Sequence, residues 1–188
     1  MSHHFPCLRP SRPKSNFPET PLRIRPQFDD NGYLPVIDLE TRIKAPIGLC
    51  FDLARDIDLH MQSTAHTGEV AIAGVTTGFI GPDEEVTWEA KHFGIRQRLT
   101  SRITAYQRPY HFRDSQVRGA FKRFDHDHFF SEVDGATLMR DVFDFDSPLG
   151  ILGTLANRVY LTRYMTTLLK RRNKLVKEVA ERASIEAR

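Results

Sequence analysis

No stretch of this chain approaches the roughly 18–20 consecutive apolar residues that a bilayer-spanning helix needs. The N-terminus also lacks the apolar run of a secretory signal. A transmembrane segment is therefore not expected, peripheral membrane contact is not favoured, and a cytoplasmic location is the expectation. Cysteine is scarce: Cys7 and Cys50 are the only two, too few and too far apart for a disulfide framework or a thiolate metal set. The loop glycines Gly74, Gly78 and Gly81 have no Lys-Ser/Thr after them, which excludes a phosphate-binding P-loop. Ser63, Thr64 and Ser115 lie in no nucleophile motif. From Ile151 to Ala183 proline is missing and Gly153 is the only glycine, so nothing there interrupts a long helix.

Charge of one sign is missing too, once the chain is divided. The formal net charge is +3 and the pI about 9.0, but residues 36–157 hold 13 basic against 18 acidic residues. The basic excess sits at the ends: five Lys/Arg against three acids in 1–35, and nine against three in 158–188. A nucleic-acid partner is not expected from such a body. Clustered Lys/Arg on a helix are the ordinary mark of a solvated face.

Seven of the 11 prolines fall in residues 1–35. That density opposes both helix and central strand, and predicts a basic, extended or disordered arm. A domain is expected over 36–183, with 184–188 as a C-terminal tail. Within the domain, Val36–Ile43 alternates as a strand. Ala45-Pro46 breaks it and leads into two short helices, Ile47–Ala54 and Asp56–Gln62. Strands are then expected at Gly68–Ala73, Glu85–His92, Ile95–Ala105, Tyr110–Arg118, Phe121–Val133 and Ala136–Asp146, divided by Gly, Pro and Asp-Gly turn signals. Leu161, Met165, Leu168, Leu169, Leu175, Val176 and Val179 recur at helical spacing. At 1.5 Å per residue about 30 residues make a rod of roughly 45 Å, which must lie across the sheet. The class is α+β.

This order of elements resembles the START-like or Bet v 1-like (SRPBCC) superfamily over about residues 36–183. Within it the chain is similar to the bacterial branch labelled polyketide cyclase/dehydrase-like, ligand-binding or "cell division inhibitor". The stretches that carry the likeness are Gly-Val-Thr-Thr-Gly at 74–78, Val-Thr-Trp-Glu-Ala-Lys-His-Phe-Gly-Ile at 86–95, Gly-Ala-Phe-Lys-Arg-Phe-Asp-His-Asp-His-Phe-Phe at 119–130 and Ser-Pro-Leu-Gly-Ile-Leu-Gly at 147–153. The resemblance implies a helix-grip fold: a curved antiparallel sheet of about six or seven strands, two short helices after the first strand, and a long C-terminal helix across the sheet. It also implies a ligand cavity between sheet and helix, and it implies no particular reaction.

Strand alternation assigns the residues that would face such a cavity. They are Trp88 and His92, then Leu99, then Phe112, Asp114 and Gln116. The strand around 121–133 adds Phe124, His126, His128 and Phe130; the next adds Met139, Asp141 and Phe143; and Leu155 joins them from the helix. Apolar walls with a few polar groups are the composition of a small-molecule pocket. A buried Asp needs a partner, and His–Asp pairing is the simplest arrangement for Asp114 and Asp141.

Three readings remain for His92, His126 and His128: structural hydrogen bonding, ligand orientation, or chemistry. As chemistry, His126 or His128 with Asp141 would act as a general base in a cyclase or dehydratase. His126-Asp-His128 also puts two nitrogens on one face, but a third metal ligand must come from another strand; Asp141, Asp114 or His92 could supply it and nothing in the spacing demands it, so no metal and no cofactor is assigned. The functional expectation is binding of a hydrophobic or amphipathic, lipid- or polyketide-like molecule. The alternatives are the enzyme just described and an interaction protein working through the Pro-rich arm or the basic helix end.

Overall fold

The computed structural model of the chain describes residues 23–29, 32–92, 94–146 and 155–187. The sheet has eight strands: β1 Arg23–Asp29, β2 Gly32–Ile43, β3 Val70–Gly74, β4 Glu85–His92, β5 Ile95–Gln107, β6 His111–Arg118, β7 Arg123–Val133 and β8 Ala136–Asp146. Their spatial order is β1-β2-β8-β7-β6-β5-β4-β3, every neighbouring pair antiparallel. The helices are α1 Ile47–Ala54, α2 Ile57–Thr64 and α3 Leu155–Glu186. This is the curved-sheet, long-helix α+β architecture of the helix grip.

The sheet begins earlier than the sequence suggested. Residues 23–35 were expected in the extended arm, yet Arg23–Asp29 and the start of β2 pair as a hairpin, so Val36 lies inside a strand and the strand count is eight. The prolines are tolerated because of where they fall. β1 is an edge strand, Pro26 lies opposite Pro35, and the pairing of β2 with β8 starts only at Val36, so neither proline withholds an N–H from a central ladder. Residues 1–22 of the arm lie outside the described residues. The expected tail is also shorter: α3 runs through Glu186, because Ser184-Ile185-Glu186 contains no helix breaker.

Local signals fix the connections. Asp56 caps α2 by accepting from the Leu59 N–H at 2.9 Å. Asp134 and Gly135 both take positive φ, 49° and 69°, as a two-residue hairpin between β7 and β8 requires. α1 and α2 carry the chain from β2, near one edge of the sheet, to β3 at the other. α3 packs on α1, α2 and β2. Its buried line is Thr162, Thr166, Leu169, Asn173, Val176 and Ala180, alternating four and three residues apart, so this face points at the protein interior.

Two apolar clusters form the core. One centres on Phe51 of α1, which meets Tyr106, Phe112 and Phe130 edge-on at 5.3–5.4 Å between ring centroids. The other gathers Ile37, Leu39, Phe124, Phe143, Phe145 and Leu169. Among the described residues no helix is long and apolar enough to cross a membrane.

Candidate functional site

Between the two apolar clusters runs a polar band, set by strand register. His126 of β7 is directly opposite Asp114 of β6, and His128 is directly opposite Asp141 of β8. One pleat further out on either side, Phe124 faces Phe145 and Phe130 faces Met139. The period of two therefore inserts four titratable side chains into an otherwise apolar inner face.

The four are in mutual reach. His126 Nε2 lies 3.0 Å from Asp141 Oδ1, and His128 Nδ1 lies 2.8 Å from the same oxygen. Asp114 Oδ1 lies 3.2 Å from His128 Nε2 and 3.7 Å from His126 Nδ1. The two imidazole centroids are 3.8 Å apart, and His128 is stacked on Phe112 at 4.2 Å. From α3, Asn173 Nδ2 donates to Asp141 Oδ2 at 2.7 Å and Arg172 Nη1 reaches Asp141 Oδ1 at 3.4 Å. Arg172 also donates to the Ala54 carbonyl at the end of α1.

Asp141 is fully buried, at 0% exposure. Burial alone would raise its carboxyl, but hydrogen bonds and charge from His126 and His128 outweigh that and hold it well below the usual carboxylate range. Asp114 is lowered in the same way, burial being outweighed by the His128 hydrogen bond and the nearby histidine and Arg172 charges. His126 is pushed down by burial and by the charge of His128, against the pull of Asp141 and Asp114.

Above this band is a cavity of about 580 Å³ between the sheet and α3. Of the residues assigned from sequence, Trp88, His92, Leu99, Phe112, Asp114, Phe124, His126, His128 and Phe143 line it. Four do not. Asp141 sits behind the histidines. Phe130 and Met139 belong to the Phe51 cluster. Gln116 is committed to the backbone of Phe121, donating to its carbonyl at 2.8 Å and accepting from its N–H at 3.2 Å. The side chain of Leu155 lies outside the described residues. From α3 the wall is completed by Leu161, Met165, Leu168, Leu169 and Arg172.

A second polar group on the cavity wall was not anticipated. His60 of α2 lies 2.6 Å from Glu69 Oε1, His92 Nε2 is 4.0 Å from Glu69 Oε2, and His92 Nδ1 is 2.7 Å from the Tyr164 hydroxyl of α3. His60 also lies over Trp88 at 4.4 Å. Burial raises the Glu69 carboxyl, but the His60 hydrogen bond and the His60 and His92 charges outweigh it and leave it below its ordinary value. Burial lowers His92, against the opposing charge of Glu69. Separate elements supply these groups, and no local sequence pattern joins them. Arg172 and Asn173 did leave a signal: they fall at helical spacing inside the line Leu169–Val176–Ala180.

Chemically, the cavity offers apolar walls with two polar anchors. The donors and acceptors can orient a hydroxyl, carbonyl or carboxylate. His126, whose Nε2 faces Asp141, can present Nδ1 as a base. Among the described residues, Asp114, His126 and His128 form the one set of three whose ligand atoms lie within 4.8 Å of one another.

The fold defines the class: a helix-grip α+β fold, similar to that of solved START-superfamily and major latex-like proteins. Solved structures of the same architecture include TTHA0849 from Thermus thermophilus, 18% identical with a TM-score of 0.61, covering 78% of this chain and 99% of that one. A START superfamily protein from Mycobacterium smegmatis is 10% identical with a TM-score of 0.60, covering 79% and 98%. The ginseng major latex-like protein 151 from Panax ginseng is 15% identical with a TM-score of 0.56, covering 78% and 97%. At these identities the likeness is one of fold. No protein-family model and no curated protein sequence matches the chain.

Proposed function

We propose that this protein binds a hydrophobic or amphipathic small molecule, of lipid or polyketide character, in the cavity between sheet and α3. The observation that carries the reading is the cavity itself: about 580 Å³, walled mainly by aromatic and aliphatic side chains, with a minority of polar groups that include the two clusters described above. Ligand sites commonly span about 300–1,000 Å³ with this composition. The His126/His128 band would hold one polar end of the ligand, and the His92–Tyr164 pair a second. Titration with an apolar fluorophore tests the reading, comparing wild type with Ala90→Phe, which puts a ring into the cavity wall. Saturable one-to-one binding that the variant loses supports it. Absence of binding by the folded wild type removes it.

One observation favours a second reading. His126 lines the cavity with Asp141 3.0 Å from its Nε2, so a carboxylate orients the ring and its other nitrogen is placed to act as the general base of a cyclase or dehydratase. On that reading His126→Ala abolishes turnover of a ketide-like substrate while ligand uptake persists. Unchanged turnover would take His126 out of the mechanism.

A further inference from the structure

The polar band contains more acceptors than protons. Each imidazole has a carboxylate oxygen at both nitrogens: His126 meets Asp141 at 3.0 Å and Asp114 at 3.7 Å, and His128 meets Asp141 at 2.8 Å and Asp114 at 3.2 Å. A neutral imidazole has one N–H. Whichever tautomer is chosen, each ring is left with one lone pair against a carboxylate. His128 is 2% exposed, and its Nδ1 makes no aligned hydrogen bond despite its 2.8 Å approach to Asp141. A buried polar atom in that position calls for an explanation.

Charge gives the same deficit. Asp114 and Asp141 bring two negative charges and Arg172 one positive charge, so the neutral-histidine cluster is short of cation. Protonating both rings would place two imidazolium ions with centroids 3.8 Å apart, at a site with little water to screen them. A single divalent ion gives both facing lone pairs a partner without adding a proton to either ring. Asp141 then accepts the N–H of His126 Nε2, and a reorientation of the His128 ring aligns its Nδ1–H on the same oxygen, 2.8 Å away. The lone pairs of His126 Nδ1 and His128 Nε2, with Asp114 Oδ1, converge on the ion.

We propose that His126, His128 and Asp114 form a binding site for a divalent transition-metal ion, of the zinc or iron(II) kind, on the cavity wall. Ligand bonds of about 2.0–2.2 Å place neighbouring donors roughly 3.0–3.5 Å apart. Two of the donor pairs stand 3.2 and 3.7 Å apart, both measured from Asp114 Oδ1, and all three ligand atoms lie within 4.8 Å of one another, so side-chain closure around an ion completes the set. Two imidazoles and one carboxylate suit a first-row transition ion, and the all-oxygen preference of calcium and magnesium argues against those two. Asp141 has the position of the outer carboxylate that fixes the tautomer and orientation of metal-bound histidines, and Arg172 and Asn173 hold Asp141 in turn. The remaining coordination positions face the cavity, where a ligand's oxygen can complete them.

The test is metal uptake by the chelator-stripped full-length chain. His3 and His4 are replaced by Ala throughout, because adjacent histidines in the N-terminal segment bind transition ions themselves. Co2+ is titrated with visible absorption as the readout, and Zn2+ is used to displace it. The expected result is one ion per chain, no stoichiometric uptake by Asp114→Ala or His128→Ala, and uptake weakened by roughly 10–100-fold in Asp141→Asn. Asp114 reaches the cavity surface, so Asp114→Ala stays interpretable if a histidine variant fails to fold; circular dichroism reports which variants are folded. No saturable uptake by the folded wild type overturns the proposal. So does undiminished uptake by Asp114→Ala, or uptake abolished by Glu69→Gln, which would locate the ion at His60 and His92. Metal uptake is independent of the apolar ligand, so its failure leaves the ligand-binding proposal standing.

Discussion

Replacing Asp141 by Ala tests the polar band most severely. The carboxylate is fully buried and receives His126 Nε2, Asn173 Nδ2 and the Arg172 guanidinium. Its loss leaves the Arg172 charge, 8% exposed, without the carboxylate it directly contacts, Asp114 remaining only as a nearby charge, and leaves the Asn173 amide without its 2.7 Å acceptor. Removing one partner of a buried ion pair costs about 3–5 kcal/mol, because the stranded charge keeps its desolvation penalty. For a chain of this size each kcal/mol lowers Tm by roughly 2–4 °C, so a fall of about 6–20 °C is expected. Asp141→Asn keeps the shape and one acceptor and should cost less, about 1–3 kcal/mol. Adding Arg172→Met to Asp141→Ala should recover part of the loss, since the stranded charge is then gone. The assay is urea unfolding in the presence of chelator, which excludes any metal contribution. A cost below about 1 kcal/mol for Asp141→Ala, or strict additivity with Arg172→Met, would refute the reasoning from buried charge.

Other outcomes follow from neighbouring parts of the structure. The Glu69 carboxyl is lower in the fold than its ordinary value near about 4.3. Its charge therefore adds stability above that pH, and the contribution disappears as pH falls through the ordinary value towards the folded one. The stability gap between wild type and Glu69→Gln should accordingly shrink in urea unfolding between about pH 6 and pH 3; a constant gap contradicts it. Gly74 and Gly68 both have positive φ, 73° and 66°, but a Cβ at Gly74 would meet the Glu85 carbonyl oxygen at 2.1 Å while one at Gly68 meets nothing within 4 Å. Gly68→Ala should cost about 1 kcal/mol and Gly74→Ala clearly more, read by thermal unfolding. Phe51→Ala empties a site at 0% exposure ringed by Tyr106, Phe112 and Phe130, and should cost about 3–5 kcal/mol.

What the sequence disclosed and what it hid divide along physical lines. β4, β8 and α1 were legible to the residue, because strict alternation or a Pro46 start marks their ends locally. The inner face of β7 was legible for the same reason, and with it the His126/His128 pair. The β1 hairpin was hidden because proline density opposes strands in general, while an edge position removes the objection; that position depends on the whole sheet. Gln116 has the parity of a cavity residue, but its amide is taken by the turn at Phe121, which parity cannot report. Arg172 and Asn173 were readable from helical spacing, though a basic helix invites their assignment to the solvated side. The His60–Glu69–His92–Tyr164 group depends on α2, the residue before β3, the end of β4 and α3 meeting in space, and no one-dimensional pattern encodes that.

The central claim is that the space between sheet and α3 holds an apolar small molecule. Native mass spectrometry of the chain as produced in cells, beside Ala90→Phe, tests it most directly. The account predicts a one-to-one non-covalent mass adduct on the wild type, released by gentle activation as a hydrophobic molecule and missing from the variant. A bare wild-type mass that stays bare after incubation with fatty acids and aromatic polyketides would contradict it.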